Sequence, residues 1–138
     1  MKLICDFSFV NNYVENFFSN NERCSASIVN SAITPHLRGT PLLVISYATI
    51  SELIKLYPER RLVLDSFFDL CQKSEMSLDR IQSLIKMAAI TEIEDRETYV
   101  LAEDSYIINE VNKTSHKAIT LNEARELLKS KGMLAERE

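Results

Sequence analysis

Glycine is nearly missing from this sequence: Gly39 and Gly132 are the only two in 138 residues. No glycine-rich loop can therefore cradle a phosphate through its backbone amides, which excludes the nucleotide-binding fingerprints built on such loops. Cysteine is sparse. Cys5, Cys24 and Cys71 form no CxxC pair and lie among apolar neighbours, so they read as reduced core residues of an intracellular protein. The two histidines, His36 and His116, are far apart and form no ligand pattern, and both read as surface or loop residues. No stretch reaches the roughly 18 apolar residues of a membrane span. No charged-then-apolar leader precedes a small-residue cleavage site, so the expected location is the cytoplasm. There is no repeat and no low-complexity segment. Positive charge is not in excess either: 16 basic residues face 20 acidic ones, for a net charge of −4. That argues against a protein held to nucleic acid by bulk electrostatics, but not against an enzyme that meets phosphates through bound cations.

What is present suits an ordinary soluble domain, with 46% hydrophobic and 26% charged residues. The length fits one domain, 1–138, with a proper core. The chain turns on one stretch. After Pro41, Leu42 to Ile45 run apolar without interruption, and helical spacing takes over at Ser46. A continuous apolar run that switches to helical spacing marks a parallel strand feeding a crossover helix. Glu52 lies one turn inside that helix, near the carboxyl end of the strand. Thr49 and Glu52 also match the S/T-x-x-E capping box, in which the glutamate reaches back to the N-cap amide.

Taken in order, Lys2 to Asp6 is a short apolar run ending in an acid, read as the first strand. Phe9, Val10, Tyr13, Val14, Phe17 and Phe18 recur at helical spacing, predicting a helix capped near Ser8 and stopped by Asn20 and Asn21. Ala26, Ile28, Val29, Ala32 and Ile33 predict a second helix closed by Pro35. The helix carrying Glu52 breaks at Pro58, and Leu64, Phe67, Phe68 and Cys71 form the stripe of the next. Ser77 is expected to cap another, with Leu78, Ile81, Leu84, Ile85 and Ala88 facing inward. Ile90 to Ile93 alternates and reads as a short edge strand. Thr98 to Ala102 is a strand ending at Glu103 and Asp104, followed by a helix on Ile107, Ile108 and Val111. His116 to Thr120 is the last strand. It runs into a second capping box, Thr120 with Glu123, and a helix that ends before Gly132. Strands and helices alternate, so the expected fold is α/β with a mainly parallel sheet.

Asp6, Glu52 and Asp104 thus fall at or just past strand ends, and Asp79 opens a helix between them. Parallel strands present their carboxyl ends to one edge, where ligands bind in open α/β sheets. Carboxylates converging there repel unless something positive lies between them, and Mg²⁺ or Mn²⁺ would suit an all-oxygen site. Without a cation such a cluster is expected to strain the fold, so that Asp6→Asn raises metal-free stability. Each acid has a structural alternative: Asp6 could start a turn, Asp79 complement a helix dipole, and Asp104 cap a helix.

Leu3 to Val10, with Asp6 followed by Ser8, resembles the opening of a PIN domain. Ile45, Ser46, Thr49, Glu52 and Leu53 are similar to that family's second motif, the most specific match in the chain. Ser77 to Ile81, around Asp79, resembles the third motif, and Val100 to Asp104 the fourth. Ile107 onward, through Lys117 to Thr120, resembles the closing helix and strand. The resemblance spans nearly the whole chain and implies a three-layer α/β/α sandwich and a metal-dependent ribonuclease. It implies further the company of VapC-type toxins, which pair with a small antitoxin and often dimerise. Asp6, Glu52 and Asp104 would hold Mg²⁺ or Mn²⁺, and Asp79 would ligate a second ion or orient water. Ser8 and Thr49 would be supporting donors. The interval from Asp79 to Asp104 is longer than usual, and Ala102 stands where threonine is common. Glu103 is thus an alternative acid, and Asp104 could itself be the third one with Asn122 in the fourth place. Arg38, Arg60, Arg61, Lys113 and Lys117 are candidate contacts to RNA phosphates.

Two other classes compete. A degenerate module of the same shape would bind RNA or a protein partner without catalysis. A receiver-like or aspartyl-phosphate phosphatase protein would need an acidic pair or Asp-x-Asp after the first strand, and Asp6-Phe7-Ser8 supplies neither.

Overall fold

A computed structural model describes residues 1–17, 23–75 and 80–135. Five strands form one sheet: β1 (Lys2–Cys5), β2 (Leu43–Ser46), β3 (Gln72–Ser74), β4 (Thr98–Leu101) and β5 (Ala118–Ile119). They lie in the order β3-β2-β1-β4-β5, and every pairing is parallel. Helices cover both faces, giving the expected α/β/α sandwich, because strands buried on both sides must be apolar along their length. β2 is buried at all four positions. Successive side chains point to opposite faces. Leu3 and Cys5 of β1, with Leu43 and Ile45 of β2, enter one core. Ile4, Val44, Val100 and Ala118 enter the other.

The first core is closed by α1 (Phe7–Glu15), α2 (Arg23–Ser31), α4 (Tyr47–Leu56), α5 (Arg61–Leu70) and α8 (Leu121–Ser130). Phe9 of α1 meets Phe67 of α5 with ring centroids 6.4 Å apart, and Leu128 of α8 is fully buried. The second core is closed by α6 (Arg80–Glu94) and α7 (Ser105–Asn112) through Leu84, Met87, Ala88, Ile107 and Val111. No helix among the described residues is long and apolar enough to cross a membrane.

Several elements depart from the sequence reading. Asp6, not Ser8, caps α1, accepting the Ser8 amide at 3.1 Å. Pro35 does not close α2. It sits in the first turn of a separate short helix, α3 (Ile33–Leu37), where a missing N–H costs nothing. Ile90 to Ile93 is not a strand but part of α6; both isoleucines face solvent, at 48% and 85% exposure, while Thr91 is buried. β3 carries no apolar residue and gave no strand signal. His116 lies in the loop before β5, as expected, with its Nδ1 2.8 Å from Glu92 Oε1. Cys5 and Cys71 are buried free thiols, as expected, while the side chain of Cys24 lies outside those described. So do Phe18, Asn20, Asn21, Ser77, Leu78 and Asp79.

Candidate functional site

The strand order fixes where a crevice opens. From β1 the chain moves outward to β2 and β3, then crosses back to β4 on the other side of β1. The carboxyl ends of β1 and β4 are therefore the topological switch point, the place where connections leave in opposite directions and a ligand can enter. Asp6 follows β1 directly. Its amide donates to Leu101 O at 3.0 Å, tying it to the end of β4. Glu103 and Asp104 follow β4.

Asp6 is 1% exposed, so its charge must be answered within the protein. The answer is Arg80 of α6. Its Nε donates to Asp6 Oδ1 at 2.8 Å and its Nη2 to Oδ2, a bidentate fork. Its Nη1 reaches Asp104 Oδ2 at 3.3 Å. Hydrogen bonding to Asp6 pushes the Arg80 pKa further up, against a smaller opposing effect of burial. Asp104 Oδ1 is engaged as the cap of α7, accepting from Tyr106 at 2.9 Å and Ile107 at 3.4 Å. Both acids thus also serve as helix caps.

Ser8 links these groups. Its hydroxyl donates to Asp6 Oδ2 at 2.5 Å and accepts the Glu103 amide at 2.9 Å. The Glu103 carboxylate turns away to the amide of Leu121, at 2.7 Å, and braces the start of α8. Asn122 lies exposed in the first turn of α8.

Across the cleft stands α4. Ser46, the last residue of β2, caps it by accepting the Thr49 amide at 3.1 Å, and its hydroxyl donates to Thr49 Oγ1 at 2.9 Å. The Thr49–Glu52 capping box is therefore not formed, because Ser46 already takes the amide that matters. Glu52 is exposed, and among the described residues it makes no hydrogen bond or ion pair. It lines a cavity of about 90 Å³ together with Asp6, Ser46, Thr49, Arg80 and Ser83. Cys5, Leu84 and Met87 close the inner wall. Burial, then the neighbouring Cys71 thiol, push the Cys5 thiol well up, so it stays protonated and is no nucleophile.

Of the expected site residues, Asp6, Ser8, Thr49, Glu52 and Asp104 line or adjoin this cleft. The five candidate phosphate contacts do not. Arg38 lies at the opposite, amino-terminal sheet edge beside Lys2 and Asp95. Lys117 directly precedes β5 at that same edge. Arg60 reaches Val14 O, Arg61 pairs with Asp65 at 2.9 Å, and Lys113 with Glu110 at 3.0 Å. The basic residue that does reach the site is Arg80, which sequence reasoning quoted within a motif and gave no role. No local sequence pattern marked it.

The donor chemistry fits a hard divalent ion: Asp6, Glu52 and Asp104 offer only oxygen. The acids are nonetheless not drawn together around a common point. Among the described residues, no three His, Cys, Asp or Glu side chains are close enough to hold a metal. The positive charge between Asp6 and Asp104 is the Arg80 guanidinium. The expected metal-free repulsion is thus already relieved, and the expectation that Asp6→Asn raises metal-free stability is withdrawn. A scan against protein-family models finds no match to this chain, and a search of curated proteins finds none.

Proposed function

We propose that this protein is a divalent-metal-dependent ribonuclease whose site is the cleft at the carboxyl ends of β1, β2 and β4. One observation supports the reading: Asp6 and Asp104 follow β1 and β4 at the topological switch point of a parallel sheet, and Glu52, on the helix after β2, lines the cleft that Asp6 enters. The resemblance of the Asp6, Glu52 and Asp104 segments to PIN-domain motifs supplies the substrate class. Asp6, Glu52 and Asp104 would hold Mg²⁺ or Mn²⁺, and Asp79, which lies outside the described residues, would ligate a second ion or orient water. Bound there, the ion would supply positive charge that acidifies an attacking water and offsets charge building on the phosphodiester. Ser8 fixes the Asp6 carboxylate from below. Ser46, by donating to Thr49 Oγ1, leaves the Thr49 hydroxyl proton for a phosphate oxygen. Under the same reading the protein works in the cytoplasm, with a small antitoxin or a second copy of itself as protein partners.

The test is cleavage of a mixed-sequence RNA by the purified chain in Mn²⁺ and in chelator. Cleavage should require the metal, and Asp6→Asn and Glu52→Gln should each lower it at least about a hundredfold. Metal-independent cleavage, or indifference to both substitutions, would refute the reading. A non-catalytic module that binds RNA or a protein is the second reading, favoured by how fully Arg80 neutralises Asp6. RNA retention without cleavage under any metal would establish it.

A further inference from the structure

Helix α6 is apolar on two sides. Leu84, Met87 and Ala88 face the sheet and are buried, with Ser83 and Thr91 beside them. On the opposite side Lys86, Ala89, Ile90, Ile93 and Glu94 fall at the i, i+3, i+4, i+7 and i+8 places of one stripe. That is the spacing of a helix side that faces a core, yet all five residues are exposed. Ile93, at 85%, is the most exposed large hydrophobic side chain among the described residues, and Ile90, one turn earlier, stands at 48%. Leu62 of α5 is nearly as exposed, at 84%. It is followed one turn on by Asp65 and Ser66, however, and a single exposed leucine is ordinary.

The two ends of the stripe carry opposite charges. Lys86 lies one turn before Ile90 and Glu94 one turn after it. Neither side chain has a hydrogen bond or ion pair among the described residues. This order is self-complementary. When two copies of α6 cross antiparallel about a two-fold axis at Ile90, each Lys86 falls opposite the other copy's Glu94. The two Ile90 side chains then meet on the axis, and the small Ala89 leaves room for the other copy's Ile93.

We propose that the outward side of α6 is a contact between two copies of this chain, centred on Ile90. The inference fixes the face that a second copy would use, and it holds whatever chemistry the cleft performs. One helix pair, with roughly 22 Å of α6 on each side, falls at the small end of specific interfaces, so Kd should be micromolar.

Sedimentation equilibrium of the full chain at low salt, from about 5 to about 500 µM, spans that range. The mass of the wild type should rise from monomer towards dimer. Ile93→Arg, at a position too exposed to disturb the fold, should keep the chain monomeric. Lys86→Glu sets like charges together at two places and should raise Kd about tenfold. Lys86→Glu combined with Glu94→Lys restores both pairs and should return Kd to within about threefold of wild type. A wild type that stays monomeric overturns the contact and leaves this side of α6 to a partner of another kind. A dimer that survives Ile93→Arg overturns it too, because the copies then meet elsewhere. So does a double variant no tighter than Lys86→Glu, because the helices are then not paired about Ile90. None of these outcomes turns on RNA cleavage.

Discussion

On the β1–β4 side of the cleft, Asp6, Glu103 and Asp104 each have partners, and those partners belong to α6, α1, α7 and α8. On the β2 side, Ser46 and Thr49 hold each other, and Glu52 stands in the cleft bonded to nothing among the described residues. The two sides sit on neighbouring strands of one sheet and carry the same type of side chain. Burial separates Asp6 from Glu52, while Glu103, exposed like Glu52, is held by the start of α8. An acid at 1% exposure must be hydrogen-bonded or it unfolds its surroundings, whereas an exposed one is solvated and free to wait. The acids of the β1–β4 side therefore do structural duty, whereas no contact among the described residues accounts for Glu52. Substitutions should separate the two.

The largest effect belongs to Asp6. In chelator, Asp6→Ala removes the α1 cap and strands Arg80, and should cost about 2–3 kcal/mol. Glu52→Ala should stay within about 0.5 kcal/mol. Urea unfolding of both variants measures the gap, and equal losses would dissolve the contrast. Next comes Ser8→Ala, which deletes one donor to Asp6 and the acceptor of the Glu103 amide. It should cost about 1 kcal/mol, clearly more than Thr49→Ala on the open side.

The smallest effect concerns the tether between the two sides. Tyr57, at the end of α4, has its hydroxyl within hydrogen-bond reach of Asn11 Oδ1 and of Glu15 Oε1 of α1, at 2.9 Å for the latter, with one proton for the two. Burial, then the hydrogen bond to Glu15, push its phenol up to about 12. A raised folded pKa means the contribution is whole below the ordinary phenol value near 10 and fades as pH climbs towards 12. The stability difference between wild type and Tyr57→Phe should therefore be constant through neutral pH and shrink above about pH 10. A difference that grows there would mean Tyr57 is not the donor.

The sheet was readable wherever burial forced an apolar run, as at Leu3 to Cys5, Leu43 to Ile45 and Val100 to Leu101. β3 escaped because an edge strand of Gln72, Lys73 and Ser74 buries little and so carries no pattern. The two S/T-x-x-E matches show the limit of local motifs. Thr120 and Glu123 form the reciprocal box, with bonds of 3.1 and 3.2 Å, while the identical pattern at Thr49 is pre-empted by Ser46 three residues earlier. The acids were visible because strand ends are visible. Arg80 was not, since its partner Asp6 lies 74 residues away and no periodicity links them.

That separation also bears on how the chain is made. β1 is the middle strand of the sheet, yet its neighbours β2 and β4 begin at Leu43 and Thr98. During synthesis β1 emerges well before β4, and its edge towards β4 stays open until Thr98–Leu101 has followed. Long-range parallel pairing of this kind folds slowly, because loop closure precedes any reward. Over that interval Asp6 has neither Arg80 nor Leu101 to meet. The charge at the end of the central strand is thus answered only once β4 and α6 are in place.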